Sequence, residues 1–356
     1  MPSGTIRVGF IGAGGIVRTR HVPGLRAVPG VEFAGVVNRS RESSERAAQE
    51  FGISRVYDSP KQLIESDEID AVWIGAHPYV HRELSVAALD AGKHVFCQAR
   101  MAMDYRDAKL MWERSLKSDC TTMLCPPPHF MYGDRVIRRL IREGAVGEPR
   151  NIVVQSFASA YIDADAPLHW RQDRSISGLN TLDFGMMIEV TQRWLGYAKS
   201  VTALAHTFNL TRTTAEGEKQ VVGRPDTVAA VAELESGAIA TITCSGVAAQ
   251  AGDSNGYEIY GTKGTLKYTM SPGFTNDRIT LAPAAGGAAV EVTVSPQEAR
   301  PWTVEADFIA GVREGRRSVE PSFWDGLKYM EMTEAVFRSV EEGRTISLPF
   351  ENLTTS

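Results

Sequence analysis

The first residues in this chain whose spacing implies chemistry are two glycines at the end of an apolar run. Gly12-Ala13-Gly14-Gly15-Ile16-Val17 follows Thr5-Ile6-Arg7-Val8-Gly9-Phe10-Ile11, which reads as a short buried strand, and opens a helical pattern. Strand, glycine loop and helix start together make a phosphate cradle. Gly12 permits the tight turn, Gly14 lets the backbone approach a pyrophosphate, and the helix start at Gly15 and Ile16 offers N–H donors and the positive end of a dipole. Val17 stands where a third small residue is usual, so helix and strand are expected to pack slightly farther apart. A lone Gly-x-Gly is also a common structural turn; its place after the first strand of an alternating series favours a nucleotide.

The second strand ends Val36-Val37-Asn38-Arg39-Ser40. NAD sites normally place a carboxylate there for the ribose hydroxyls, and Asn38 has no charge to repel a 2′-phosphate. Arg39 or Arg41 would pair with that phosphate and Ser40 would donate a hydrogen bond; the alternative is a solvated basic loop. NADP is expected ahead of NAD, with NAD left open because asparagine also hydrogen-bonds ribose.

The elements around these residues fall into two series. With 356 residues, 43% hydrophobic and 23% charged, the chain has room for two domains, each with its own core. Strands are expected at 5–12, 31–38, 71–75, 94–97 and 121–124, alternating with helices at 14–28, 43–51, 62–66, 82–91 and 104–118. That rhythm means an α/β fold, a parallel sheet with helices on both faces. Ser40 and Asp104 are the expected helix caps. After Pro126-Pro127-Pro128 the text turns strand-like, at 152–158, 201–209, 227–234, 238–245, 257–260, 265–268 and 290–294, with helices at 134–143, 179–195, 303–314 and 324–342. This is a mainly antiparallel open sheet with helices on one face. Strands 152–158 and 227–234 carry apolar residues on both parities, as in a sheet covered on both sides, and a homodimer or homotetramer through the open face is expected.

Several classes of function are disfavoured. A net charge of −5 lacks the basic excess of a nucleic-acid binder. No apolar run approaches the length of a membrane span, and no signal peptide is expected before the first strand, so the location expected is cytoplasmic. Cys97, Cys120, Cys125 and Cys244 form no Cys-x-x-Cys and no metal spacing with histidine; reduced, mostly buried thiols and no metal site are expected.

Further motifs give the chain a family resemblance. They are Gly9-Phe10-Ile11-Gly12-Ala13-Gly14, Ala91-Gly92-Lys93-His94-Val95, Arg142-Glu143-Gly144-Ala145-Val146-Gly147-Glu148, Tyr257-Glu258-Ile259-Tyr260-Gly261-Thr262-Lys263-Gly264 and Phe323-Trp324-Asp325-Gly326. With these the chain resembles the Gfo/Idh/MocA family of glucose-fructose oxidoreductases and inositol dehydrogenases over nearly its whole length. The resemblance implies an N-terminal Rossmann dinucleotide-binding domain, placed at 1–125. It also implies a C-terminal α+β domain, at 126–356, for substrate binding and oligomerisation. Hydride transfer at carbon–oxygen centres of sugars, polyols and related small molecules is the activity implied.

The same resemblance exposes two gaps. A Glu-Lys-Pro, whose lysine handles the hydroxyl proton near the nicotinamide, becomes Gln98-Ala99-Arg100. A later Asp-x-Gly-x-x-x-His-type helix aligns as Asp183-Phe184-Gly185-Met186-Met187, so Met187, which cannot shuttle protons, takes the histidine position. Asp183 and Met187, four apart, share one helix face, and that face is expected to look into the cleft. Substitutes for the missing groups are His169, in Pro167-Leu168-His169-Trp170-Arg171, Tyr161 and Asp163. Asp183 is a general base, a binder of substrate hydroxyls, or a plain helix-start charge. His169 is either a proton-exchanging group or a structural histidine beside Trp170.

The remaining expectations concern contacts. Trp170, Met187 and His129 are placed with the substrate, and Arg100 either binds an anionic group or makes a structural ion pair. Ala76, His77 and His81 are placed near the cofactor, and Gln98 on the nicotinamide ribose or the substrate. Lys93, before its strand, reads as structural. Three readings follow: an oxidoreductase with a rearranged proton relay, a non-redox enzyme that oxidises transiently on a tightly held nicotinamide, and a nucleotide-binding protein without catalysis.

Overall fold

The computed structural model describes residues 4–127, 130–249, 255–271 and 276–353. The chain divides into two compact units, one of Met1–Pro126 with Thr303–Leu327 and one of Pro127–Trp302 with Lys328–Ser356. The break falls one residue from the expected 125/126 boundary. Assigning all of 126–356 to the second unit needs correction, because Thr303–Leu327 returns to the first.

In the first unit β1 (Ile6–Ile11), β2 (Val31–Val37), β3 (Ala71–Ile74), β4 (His94–Cys97) and β5 (Thr122–Leu124) form a parallel sheet. The strand order is β2-β1-β3-β4-β5, extended past β5 by a short strand at Ser318–Val319. The chain reverses direction across the sheet between β1 and β3. In an open parallel sheet, the crevice beyond the strand ends at such a reversal is where ligands bind. The strands are apolar on both sides, and Val8, Phe10, Val72, Trp73, Val95 and Phe96 are fully buried. The first helix starts as expected but contains a π-helical turn, Val17–His21, before Val22–Arg26. Ser40 and Asp104 cap their helices, Arg41–Phe51 and Tyr105–Leu116, as the sequence implies.

The second unit is built on a nine-stranded sheet. Its members are β6 (Pro149–Phe157), β7 (Ala198–His206), β10 (Thr227–Leu234), β11 (Ile239–Ser245), β12 (Gly256–Gly261), β13 (Gly264–Thr269), β14 (Arg278–Pro283), β15 (Val290–Glu291) and β17 (Ile346–Ser347). A separate ribbon pairs β8 (Thr211–Thr213) with β9 (Lys219–Val221), and β16 is the strand at Ser318–Val319 in the first unit. All neighbours in the large sheet are antiparallel except β6 and β11. The helix expected at 179–195 begins only at Phe184 and runs to Leu195, and a separate short helix, Arg174–Ser177, precedes it. Gly178 and Leu182, both at positive φ (63° and 46°), lie between the two and leave Asp183 at the N-cap. Under the sheet Trp194, Tyr257 and Tyr268 pack edge to face, with centroids 4.8 to 6.3 Å apart.

Candidate active site

The glycine loop meets the demands of a phosphate cradle. Gly12 has φ 84°, and a Cβ there would lie 2.6 Å from the Ala76 nitrogen, where β1 and β3 end side by side. Positions 14 and 15 open onto free space, with nothing within 4 Å of a Cβ at either. Among the described residues the main-chain N–H groups of Gly14, Gly15 and Ile16 have no acceptor. Unspent donors at a helix start, with room in front of them, fit a pyrophosphate. Val17 packs over Gly75, where a Cβ would lie 2.3 Å from its Cγ2.

The end of β2 is wired differently from the sequence expectation. Asn38 Oδ1 accepts from the Ala13 N–H at 2.7 Å, and its amide donates to the Ser43 carbonyl at 2.9 Å. Asn38 therefore braces the glycine loop against the next helix. Ser40 is spent on the capping box with Ser43, and Arg41 is held by Glu45 and Asp58. Arg39 is exposed and makes no hydrogen bond or ion pair among the described residues.

Beyond β3 and β4 two histidines organise the strand-end loops. His81 is fully buried, so its placement at the cofactor is corrected. Its Nε2 lies 3.0 Å from the Ala76 carbonyl oxygen, and its Nδ1 3.0 and 3.1 Å from those of Arg100 and Met101. The ring staples the loop after β3 to the loop after β4, and burial pulls its pKa below the usual histidine value. His77 is exposed beside it. Arg100 is buried and follows a cis Ala99–Arg100 peptide. Gln98 is half-buried, and its Oε1 lies 3.0 Å from Nε2 of His21, whose Nδ1 lies 2.5 Å from Oε1 of Glu305. All four cysteines are buried and free, and burial with the nearby Glu305 charge pushes the Cys125 thiol well above its usual range. Lys93 donates to the carbonyls of Ser66 and Ile69, as befits a structural lysine.

In the second unit the candidate proton-transfer residues gather where β6, β10 and β11 run into loops. Tyr161 and His169 have ring centroids 6.3 Å apart. A Cβ at Gly246 would lie 2.5 Å from the Tyr161 ring and 2.9 Å from Leu182, the neighbour of Asp183. The loop is tied by Arg212, buried, which donates from Nη1 to the carbonyls of Asp163 and Ala166 and from Nη2 to that of Tyr161. Asp226 accepts from the amides of Phe208 and Asn209. His169 Nδ1 accepts from the Arg171 N–H at 3.2 Å, so the neutral ring carries its proton on Nε2. The Trp170 ring lies 5.6 Å from the His169 ring and 4.3 Å from the Arg171 guanidinium carbon, and Asp163 is exposed. Asp183 makes no capping hydrogen bond. Met187 is fully buried and its sulfur accepts from the Tyr257 hydroxyl at 3.4 Å, so it is a core contact and its placement with the substrate is corrected. His129 lies outside the described residues. No group of three metal-ligating side chains occurs among the described residues.

Two family models match this arrangement, an oxidoreductase family with an NAD-binding Rossmann fold over residues 6–124 and a GFO/IDH/MocA C-terminal domain over 135–267. The chain belongs to the Gfo/Idh/MocA oxidoreductase family. It is 24% identical to a levoglucosan dehydrogenase of Pseudarthrobacter phenanthrenivorans, over 97% of this chain and 98% of that protein. It is 27% identical to a D-apiose dehydrogenase of Paraburkholderia graminis, over 95% and 88%. Among solved structures, a levoglucosan dehydrogenase in complex with NADH and L-sorbose superposes with a TM-score of 0.85 at 23% identity, covering 97% of this chain and 99% of that one. As a Gfo/Idh/MocA protein the chain is an oxidoreductase with an NAD-binding domain. Residues the sequence did not single out are His21, Glu305 and Arg212, and Tyr257 was seen only as part of a motif. His21 and Glu305 lie 284 positions apart, and no local pattern links them.

Proposed function

We propose that this protein is an NAD(P)-dependent oxidoreductase acting on a sugar, polyol or related small hydroxy or keto compound. The observation that carries the reading is the open glycine cradle with three unspent N–H groups at the sheet's reversal point. The nicotinamide supplies hydride transfer to or from the substrate carbon. The chain's own residues then have separable tasks. Gly14, Gly15 and Ile16 hold the pyrophosphate, and Arg39, exposed and uncommitted, pairs with a 2′-phosphate, which favours NADP over NAD. Asp183 orients substrate hydroxyls. His169, with its proton on Nε2, is set to donate to an oxygen that gains negative charge as a carbonyl is reduced, with Tyr161 beside it as the alternative donor. Trp170 contacts the substrate, while Arg100 is buried in the loop that His81 staples. The relatives named as levoglucosan and D-apiose dehydrogenases support a carbohydrate substrate.

A second reading, transient oxidation on a retained nicotinamide without net redox turnover, is favoured by one observation. The two positions where proton-transfer groups were expected hold Ala99 and a Met187 buried against Tyr257. One experiment separates the two. The purified protein is titrated with NADPH and NADH, then incubated with a panel of anhydrosugars, pentoses and inositols while nicotinamide absorbance and products are followed. Net absorbance change supports the oxidoreductase, and product without it supports the second reading. His169→Ala and Tyr161→Phe are expected to cut turnover about 10²–10⁴-fold where the residue is the acid. Near-parent turnover in both would remove the proposed relay.

A further inference from the structure

His21, Glu305 and Gln98 form a buried cluster that none of these steps uses. The imidazole is fully buried, with the rings of Trp73 and Phe96 at centroid distances of 5.0 and 5.2 Å. It bridges a carboxylate, 2.5 Å from Nδ1, and a neutral amide, 3.0 Å from Nε2. Gly24 leaves room for the carboxylate: a Cβ there would lie 2.3 Å from Oε2 of Glu305 and 2.5 Å from its Cδ. The nearby Cys125 thiol donates to the Pro126 carbonyl at 3.7 Å and stays protonated.

Charge counting gives this arrangement its meaning. A carboxylate among aromatic rings is tolerated when it is paired, and one imidazole can offset one negative charge. A second carboxylate at position 98 would place two negative groups on one ring in a low-dielectric interior. Gln98 also opens the loop that follows β4. We propose that His21 and Glu305 are positioning residues that act through Gln98. The cluster holds a single carboxylate, that of Glu305, and residue 98 must be neutral for the loop 98–100 to be held in place. The part that concerns ligand binding rests on the reading above, in which this loop meets the nicotinamide half of the nucleotide.

A charge-relocation cycle in the full chain tests this: Gln98→Glu, Glu305→Gln and the double variant. Two quantities are read, the thermal midpoint without ligand and the affinity for two probes. One probe is whichever of NADH and NADPH the parent binds more tightly. The other is the matching ADP-ribose, with or without 2′-phosphate, which lacks the nicotinamide. Each single change is expected to lower the midpoint and weaken the dinucleotide about tenfold, with ADP-ribose within about twofold; the double variant should regain most of both. The proposal is overturned if Gln98→Glu matches the parent in both readouts, if the double variant is worse than either single one, or if ADP-ribose weakens as much as the dinucleotide. Should the single variants be too unstable to purify, Gly24→Ala displaces the carboxylate without changing charge. It should reproduce the selective loss, and parental dinucleotide affinity in it would overturn the proposal. A parent protein that binds neither nucleotide defeats only the nucleotide reading, and the thermal cycle then decides the cluster.

Discussion

A histidine enclosed by three carbonyl oxygens, like His81, faces a conflict. The carbonyls favour a proton on both ring nitrogens, while burial opposes the charge, and burial wins. His94 is also held below the ordinary value by burial, with Nδ1 accepting from the Thr121 N–H. Both shifts have the same sign in linkage. The unfolded chain takes up protons first, so the stability these residues contribute is present above about pH 6.5 and declines as pH falls below it toward their folded values. Each lowers unfolding free energy by up to about 1.4 kcal/mol per pH unit in that window. His81→Gln should therefore lower the thermal midpoint at pH 8 yet show a shallower loss between about pH 6.5 and 5. An unchanged slope would mean that His81 does not titrate there. His81 also marks how far single residues were legible. Its neighbourhood could be read from its place after a strand, but its partners are main-chain atoms from 5 to 20 residues away. A sequence read by residue type carries no trace of them. Asn38 is similar: its type argued for a ribose contact but gave no sign of the bonds it makes to Ala13 and Ser43.

Among the elements, most of the regular ones were legible, β14 (Arg278–Pro283) being missed, and the loops were not. Strands β3 and β4 and the capped helices follow from apolar runs and from Ser40 and Asp104, signals that lie within a few residues. The 159–183 segment has no such period. Its course is set by a guanidinium from β8 and by the absence of a side chain at Gly246, both distant in sequence. Ribbon strands β8 and β9 went unforeseen because at three residues each they are too short to show alternation. Arg212 gives this a measurable form. Its Nη1 and Nη2 donate to three carbonyls, and Arg212→Met would take that donor from Asp163 and Ala166 and leave Tyr161 only the side-chain amide of Asn209. The variant should lose roughly 2–4 kcal/mol of stability and become open to limited proteolysis within 159–168. Parental stability with an intact segment would show that the loop is held by other contacts.

At the scale of the whole molecule, the outer face of the large sheet asks for a covering. Leu204 is 79% exposed and Val231 50%, and Ile239 and Tyr260 lie outward on the neighbouring strands. Threonines 202, 241 and 243 lie among them at alternate positions of the ladder. A broad apolar face of this kind suits a second copy of the chain. Light scattering should return a dimer or tetramer, and Val231→Glu should shift it toward one chain while leaving nucleotide affinity unchanged. A parent protein with the mass of one chain would end this expectation. The return of Thr303–Leu327 to the first unit bears on how the chain is made. Residues 318–319 supply the strand beside β5, Arg317 and Pro321 accept from the amides of Thr122 and Leu124, and Glu305 completes the pairing of His21. During synthesis the N-terminal 126 residues leave the ribosome without their edge strand or the partner of a buried imidazole. They must wait, incomplete, while roughly two hundred more residues are added. The unit that begins first is finished late, and a nascent chain released before residue 327 would present an open sheet edge to its surroundings.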